Sequence, residues 1–393
     1  LWGCKAPRNS AGLVVGPDDN TFGNPTDSQA KMIAAYYRFL DDVIADDFNA
    51  TFTYMRQFDN NHLYSFRMSM SGSPSVSPVN GRYDFQSLAG AVDLMEPEGY
   101  ALDANSDVSM LQIPFANAYA RYTMPDAPVV WKEYGKSSWT GSNFTDNSLS
   151  LENTANYYRR VLEYAYKSYT SGMFCWYYAG GFRIGENSDY GILNPDGSDR
   201  PCTTVLRQYA PLFISQGERQ TTGEKLISIE RDEKNPRGIY DMFLKIKDQL
   251  ATLFNTGKTF DFINSQQTTF GEKFYAEDVV DMAVGGTKTD GAYPLKYVNG
   301  MVKDFQTYEK DGKTYARVTV CNTGHAAWEK GTISLVSTAS SKAKIAKYTF
   351  TEDVDYLENV VIDVEISGTG ALELRFAFRN GLEFGYNYKT TIK

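Results

Sequence analysis

Apolar residues in the first half of the chain recur at helical spacing and alternate with short extended runs. Thr26 or Asp27 can cap a helix, and the apolar residues that follow repeat every three or four positions. The spacing predicts helices at 27–47, 105–122 and 151–169. Short apolar runs bounded by polar turns predict strands at 63–70, 91–95, 128–134 and 172–178. Helices that join successive strands indicate a parallel sheet.

The second half of the chain has a different pattern. An amphipathic helix is predicted at 239–254, before Gly257, because glycine often follows a helix end. From residue 297 onward, alternating runs predict short strands at 314–320, 332–337, 345–350, 360–366 and 371–379. This spacing is typical of an immunoglobulin-like β-sandwich. The predicted parts are an α/β part at 1–214, a connecting region at 215–296 and a β-sandwich accessory domain at 297–393.

The α/β part has the alternation of a (β/α)8 TIM barrel, but only half of the barrel strands are predicted in it. A whole barrel needs about 250 residues, and half a barrel leaves two strand edges unpaired. Either the first strands lie on sequence absent from this chain or the strand count is wrong, and we favour the first. The chain begins without an initiator methionine or a signal peptide. We therefore expect a longer protein, or a partner chain that supplies the missing N-terminal strands.

Composition narrows the class of ligand. The formal net charge is −9, so the chain lacks the basic cluster that binding to nucleic acid or an anionic membrane requires. An aromatic content of 14% fits a carbohydrate-binding protein and a β-rich protein equally well. No run of 18 apolar residues occurs, and no membrane span is expected.

Cysteine and histidine usage limits the chemistry further. The four cysteines lack metal-ligand spacing, which argues against a zinc site or a disulfide scaffold, although a Cys175–Cys202 bridge stays open. Two histidines, His62 and His325, leave little room for a histidine-based triad or metal site. His325 follows a plausible turn and is expected at the surface. We therefore expect carboxylate chemistry without a metal or organic cofactor.

Three glutamates lie at or just after the carboxyl ends of predicted strands, where active sites of βα barrels lie. Glu133 ends the strand at 128–134, and Glu96 and Glu98 follow the strand at 91–95. The pattern alone leaves two interpretations of Glu133, a catalytic carboxylate or a loop residue paired with Lys132 or an arginine.

Two segments resemble the strand ends of one enzyme group. PVVWKEYG at 128–135 is similar to the strand-seven nucleophile motif of clan A glycoside hydrolases, which include cellulase-like family 5 and β-galactosidase-like enzymes. FCWYY at 174–178, with GGFR at 180–183 and SDYGILNPDG at 188–197, is similar to their strand-eight end. The resemblance covers roughly residues 30–210. It implies a TIM-barrel retaining glycosidase with Glu133 as the nucleophile.

The general acid departs from the family pattern. The family places this residue after strand four, usually in an Asn-Glu pair, and no such pair follows a suitable strand here. The alternatives, in order of preference, are an acid upstream of Leu1, a transfer of the role to Glu96 or Glu98, and an inactive chain.

The resemblance also implies a set of sugar-binding residues. Trp176 would be the sugar platform, with Tyr178 on the same strand face. The other candidates are polar or aromatic residues near strand ends: Arg67, Tyr100, Trp139, Arg183, Glu186 and Asp189. Each has a structural alternative, such as core packing for Trp176, a loop ion pair for Arg183, or pairing with Asp93 or Glu96 for Arg67.

The resemblance therefore implies a retaining hydrolase of β-linked oligo- or polysaccharides that acts outside the cell or at its surface. A non-catalytic carbohydrate-binding protein on the same scaffold is the alternative, and a structural surface protein is a third. The sugar, the linkage and the choice between internal and terminal cleavage are left open, because loop shapes decide them.

Overall fold

The computed structural model describes residues 4–16, 21, 23–67, 85–100, 102–139, 148–219, 225–229, 235–269, 271–279 and 297–393. The first long helix, α1 (Asp27–Arg56), begins where the sequence predicts. Thr26 accepts a hydrogen bond from the Gln29 backbone N–H, and Gln29 Oε1 accepts one from the Thr26 backbone N–H, which forms a capping box. The helix continues beyond residue 47 because Phe48 and Phe52 pack on the extended segment 63–67, through Phe66 and Tyr64.

Four extended segments lie side by side in the first part of the chain. Strands β1 (Val130–Tyr134) and β2 (Gly172–Cys175) are parallel. The segment 95–98 bridges the other edge of β1 through the pairs Met95–Val129 and Glu98–Glu133. Beyond it, the Asp93 backbone N–H donates to the carbonyl of Tyr64. The spatial order therefore follows the chain order, as is usual for consecutive elements.

The predicted bounds of these segments need three corrections. The strand predicted at 91–95 is shifted toward the carboxyl end, because residues 89–91 form a turn and the bridges begin at Met95. The strand predicted at 172–178 ends at Cys175, where the aromatic run leaves the sheet. Of the strand predicted at 63–70, residues 63–67 are extended, and 68–70 lie outside the described residues.

Helices connect and cover these segments. They are α2 (Phe85–Leu88), α3 (Asp107–Met110), α4 (Gln112–Thr123), α5 (Ser148–Lys167) and α6 (Pro201–Ser215). The helix predicted at 105–122 is divided at Leu111, which ends α3 and precedes α4. The helix predicted at 151–169 is confirmed as α5. Nearly all of α4 is buried, since it packs between the sheet and the next unit.

The predicted connecting region contains a small parallel unit of its own. Strand β3 (Leu226–Ser228) pairs in parallel with β4 (Asp261–Ile263), and α7 (Ile239–Asn255) joins them. Phe262 of β4 packs on Phe115 of α4, so this unit shares the core of the first part. The parallel strands described thus form two separate small sheets, and the eight-stranded barrel stays a prediction.

The last part consists of two four-stranded antiparallel sheets around one apolar core. Their strands are β5 (Met301–Lys310), β6 (Lys313–Cys321), β7 (Ile333–Ser337), β8 (Lys344–Ile345), β9 (Tyr348–Thr349), β10 (Asn359–Ser367), β11 (Gly370–Phe378) and β12 (Glu383–Ile392). The sheet orders are β5-β6-β10-β8 and β12-β11-β7-β9. The strand predicted at 345–350 is divided between the two sheets as β8 and β9, and the prediction missed β5 and β12. The immunoglobulin-like type of this arrangement stays a prediction.

His325 is not at the surface as predicted. It is 8% exposed and its ring lies 4.4 Å from the rings of both Tyr122 of α4 and Tyr356. The turn that carries it packs against the first part of the chain, which buries the imidazole. The Cys175–Cys202 bridge that the sequence left open is not formed, because both residues are free thiols. No described helix is long and apolar enough to cross a membrane.

Candidate active site

Glu133 lies at the carboxyl end of β1 with both of its oxygens hydrogen-bonded. Arg67 Nη1 donates to Oε1 at 3.0 Å, and Tyr100 Oη donates to Oε2 at 2.6 Å. Trp131 and Tyr134 in the same strand are fully buried, which anchors β1 in the core. The Glu133 side chain is 13% exposed. The carboxylate is therefore held in one orientation while part of it still reaches solvent.

Glu98 lies beside Glu133 on the adjacent segment and shares Arg67 with it. Arg67 Nε is 2.7 Å from Glu98 Oε1, and the Glu98 side chain is only 2% exposed. Burial raises the pKa of Glu98 to about 7, with Arg67 opposing the shift and Glu133 adding to it. Two acidic groups and one guanidinium thus meet at the ends of three neighbouring extended segments.

Tyr100 links this cluster to the loop that follows β2. Burial raises the pKa of Tyr100 far above its ordinary value, and the hydrogen bond to Glu133 adds to the shift. The hydroxyl therefore stays protonated and remains a hydrogen-bond donor. Its ring meets that of Tyr190 edge-on at 5.8 Å. The sequence named Tyr100 as a sugar contact, and the structure places it directly on the Glu133 carboxylate.

Glu96 is in a different environment from Glu98. It is 7% exposed, and its Oε1 lies 3.4 Å from Nζ of Lys132, which also sits over the ring of Phe174. The sequence-based alternative that paired Glu133 with Lys132 or an arginine is confirmed for the arginine, since Arg67 pairs with Glu133. It is wrong for Lys132, which pairs with Glu96. The alternative that paired Arg67 with Asp93 or Glu96 is also wrong, because Asp93 is bound by Arg56.

An aromatic and charged loop follows β2. The peptide bond between Trp176 and Tyr177 is cis. The Arg183 guanidinium carbon lies 5.2 Å from the centre of the Trp176 ring and 5.3 Å from that of Tyr177, in the geometry of a cation–π contact. Glu186 pairs with Arg183 at 2.8 Å. The structure therefore joins Trp176, Arg183 and Glu186 in one group.

The remaining predicted sugar contacts are dispersed. The Trp139 ring packs on Phe182 with centroids 4.7 Å apart, and its contact with a sugar stays a prediction. Tyr178 is 71% exposed, whereas Trp176 is half-buried, so these two rings are in different environments although the prediction placed them together.

Asp189 is not brought to the Glu133 cluster. Its oxygens accept hydrogen bonds from Arg200 Nη1 at 3.1 Å and Nη2 at 2.6 Å, and the arginine side chain is fully buried. Burial opposes ionisation, but Arg200 and the Gly191 N–H outweigh it and lower the pKa of Asp189. Its predicted role in sugar binding is corrected to that of a loop anchor, because Arg200 occupies both oxygens.

Sequence reasoning missed three residues that build the site. Arg200 fixes the loop after β2, Tyr190 supports Tyr100, and Asn117 accepts a 2.8 Å hydrogen bond from Trp131 Nε1. Each of these contacts joins residues on different elements. The sequence signal for such a residue is a polar or charged position within an apolar pattern, as at Asn117 in α4, but this signal does not identify the contact partner.

The sequence matches no family model and no curated protein. Among solved structures, the chain is similar to the polyextremophilic β-galactosidase of the Antarctic haloarchaeon Halorubrum lacusprofundi, at 10% identity over 86% of this chain and 69% of that chain, with a TM-score of 0.47. It is also similar to GH5_18 from Streptomyces cattleya in complex with GlcNAc, at 14% identity over 67% and 70%, with a TM-score of 0.34. A third is the exo-β-1,4-mannosidase of Opitutaceae bacterium strain TAV5, at 12% identity over 99% and 77%, with a TM-score of 0.35. Identity and TM-score are low in all three comparisons, so they assign neither a family nor an activity to this chain.

Proposed function

We propose that this chain is a retaining glycoside hydrolase of β-linked glycans with Glu133 as its nucleophile. The observation that carries the proposal is the environment of Glu133, a strand-end carboxylate that accepts hydrogen bonds from Arg67 and Tyr100. Both donors fix the orientation of the carboxylate, and partial exposure leaves it open to a substrate. These properties are those of a nucleophile in a two-carboxylate mechanism.

The proposed reaction has two steps. In the first, a Glu133 oxygen forms a bond to the anomeric carbon while the glycosidic C–O bond breaks and the leaving oxygen takes a proton from a general acid. In the second, water attacks the anomeric carbon, gives a proton to the same group and releases Glu133 with net retention. Arg67 and Tyr100 hold the carboxylate throughout, so no reorientation of Glu133 is needed at the moment of attack.

The sugar would bind between Glu133 and the loop after β2. Trp176 supplies a ring platform, and Arg183 and Glu186 supply donors and acceptors beside it. Trp139, on Phe182, and the exposed Tyr178 would serve as separate aromatic contacts for further sugar units. We further propose that residues 1–214 carry the activity, that 297–393 form an accessory domain, and that 215–296 connect these two parts. We also propose that the protein acts outside the cell.

The proposal is tested with substrates that need no acid assistance. Aryl β-glycosides with a dinitrophenyl leaving group should be cleaved by the wild-type chain, and Glu133→Gln should lose that activity by at least about 1000-fold. A 2-deoxy-2-fluoroglycoside should label Glu133 covalently, which peptide mass spectrometry can locate. Glu163→Gln, at a 36% exposed carboxylate of α5 that pairs with Lys167, is the matched control and should still be labelled at Glu133. Labelling at another carboxylate, or hydrolysis that survives Glu133→Gln, would contradict the proposal.

One observation favours a second function, that of a non-catalytic carbohydrate-binding protein. Glu96 and Glu98, the carboxyl groups next to Glu133 in the described residues, are both buried and each lies against a cation. A binding protein needs no proton donor facing the sugar. Retention on β-glucan, β-mannan or galactan gels, without cleavage of any dinitrophenyl glycoside, would support this second function.

A further inference from the structure

Glu98 is the buried member of the acidic pair, and its position limits what it can do. Its side chain is 2% exposed, against 13% for Glu133, while Arg67, which lies between them, is 56% exposed. A general acid must reach the oxygen of the leaving group within hydrogen-bond distance. The solvent side of the cluster is formed by Arg67 and part of Glu133, so Glu98 is screened from a bound sugar.

Glu98 nevertheless touches the residue that holds the proposed nucleophile. Arg67 Nε is 2.7 Å from Glu98 Oε1, and Nη1 of the same guanidinium is 3.0 Å from Glu133 Oε1. The guanidinium is planar and rigid, so a contact on one nitrogen restricts the direction of the others. Since Arg67 is more than half exposed, Glu98 is the contact that restrains its inner side.

We infer that Glu98 is a positioning residue that holds the guanidinium of Arg67 against the carboxylate of Glu133, and that it is not the general acid. The inference rests on the proposed function for its catalytic consequence. The contact itself, Glu98 to Arg67 to Glu133, is independent of any reaction.

The charge state of Glu98 should then control the site. The charged and titratable groups that face it in the described residues are Arg67, Glu133 and Tyr100. Because its pKa is raised to about 7, Glu98 is neutral in weak acid. Arg67 then forms an ion pair with Glu133 alone. Above that pH, ionised Glu98 competes for Arg67 and repels Glu133. Activity should therefore fall as the pH rises through about 7.

The test compares Glu98→Gln with Glu98→Ala in the full chain, on a dinitrophenyl and a phenyl glycoside from pH 5 to 9. Glutamine keeps a neutral oxygen for Arg67, so kcat/KM at pH 6 should fall by less than about tenfold with both leaving groups, and the loss near pH 7 should disappear. Alanine removes the contact and should cost about 100-fold with both leaving groups. A loss in Glu98→Gln confined to the phenyl glycoside would identify Glu98 as the acid and overturn the inference. Wild-type activity in both variants would also overturn it.

A second readout separates this inference from the proposed function. In protein labelled with ¹⁵N-arginine, the Arg67 Nε resonance, assigned by its loss in Arg67→Lys, should titrate near pH 7 in the wild type and move in Glu98→Ala. It should not titrate there in Glu98→Gln. A titrating resonance in a chain without glycosidase activity would refute only the proposed function. A resonance indifferent to pH and to Glu98→Ala would refute the positioning role, whatever the activity.

Discussion

Replacing Glu98 by glutamine should change how the stability of the first part of the chain depends on pH. The pKa of Glu98 is raised from its ordinary 4.5 to about 7 in the fold, so the folded state binds the proton more tightly than the unfolded state. The stability that the proton contributes is present in full below pH 4.5 and is lost as the pH rises through about 7. This stabilisation falls by about 2.5 kcal/mol between pH 5 and pH 8, because a difference of one pKa unit is equivalent to about 1.36 kcal/mol. The glutamine side chain of Glu98→Gln does not titrate, so the stability of this variant should not show this decrease with pH.

The assay is hydrogen exchange followed by mass spectrometry at pH 5 and pH 8, corrected for the intrinsic exchange rate at each pH. The informative peptides cover 95–99 and 130–134, where the N–H groups of Val130 and Lys132 donate to the carbonyls of Met95 and Pro97. The free energy of opening in Glu98→Gln, relative to wild type, should rise by about 2.5 kcal/mol from pH 5 to pH 8. Glu186→Gln, at an exposed carboxylate, should give no such change. A difference between Glu98→Gln and wild type that is the same at both pH values would refute the reasoning.

Two further predictions concern the loop after β2. Arg200→Met should lower the free energy of unfolding by about 3–5 kcal/mol, because it leaves the Asp189 carboxylate buried without its cation. Arg207→Gln, at an exposed ion pair, should lower it by less than about 1 kcal/mol. Denaturant unfolding of both variants measures the difference. Gly180→Ala should destabilise the same loop, since an added Cβ would lie 1.9 Å from the Leu193 carbonyl oxygen. In the control variant Gly185→Ala, the added Cβ meets nothing within 4 Å. Equal melting temperatures and equal proteolysis rates in these two glycine variants would contradict the prediction.

The elements that the sequence predicted well are those with a local signal. Helix α1 begins at its predicted cap because Thr26 and Gln29 satisfy each other within one turn. Helix α7 lies within one residue of its predicted bounds, because its apolar stripe and Gly257 are both visible in the sequence. Strands β5 and β12 were missed, since Met301–Lys310 and Glu383–Ile392 contain many polar residues on faces that stay exposed. Their pairing with β6 and β11 is a tertiary contact that the periodicity does not encode.

The candidate site was predictable where it depends on strand ends and not where it depends on loops. Parallel strands bring their carboxyl ends to one edge, so the convergence of Arg67, Glu98 and Glu133 follows from the predicted strand order. The assignment of Asp189 failed because its partner, Arg200, lies eleven residues further along the chain and is fully buried. Two charges in one loop could face the solvent, a sugar or each other, and only the three-dimensional structure decides which.

The sharing of one guanidinium by two glutamates gives those glutamates different properties. Neighbouring positions on parallel segments place Glu98 and Glu133 side by side, and Arg67 is the cation that contacts both. Like charges this close cannot both ionise at low cost. Burial resolves the conflict, because it raises the pKa of the 2% exposed Glu98, whereas Glu133 is partly exposed and accepts hydrogen bonds from Arg67 and Tyr100. Glu98 and Glu133, which the sequence places at equivalent strand ends, therefore differ in exposure, and burial raises the pKa of Glu98; this difference is set by depth in the fold.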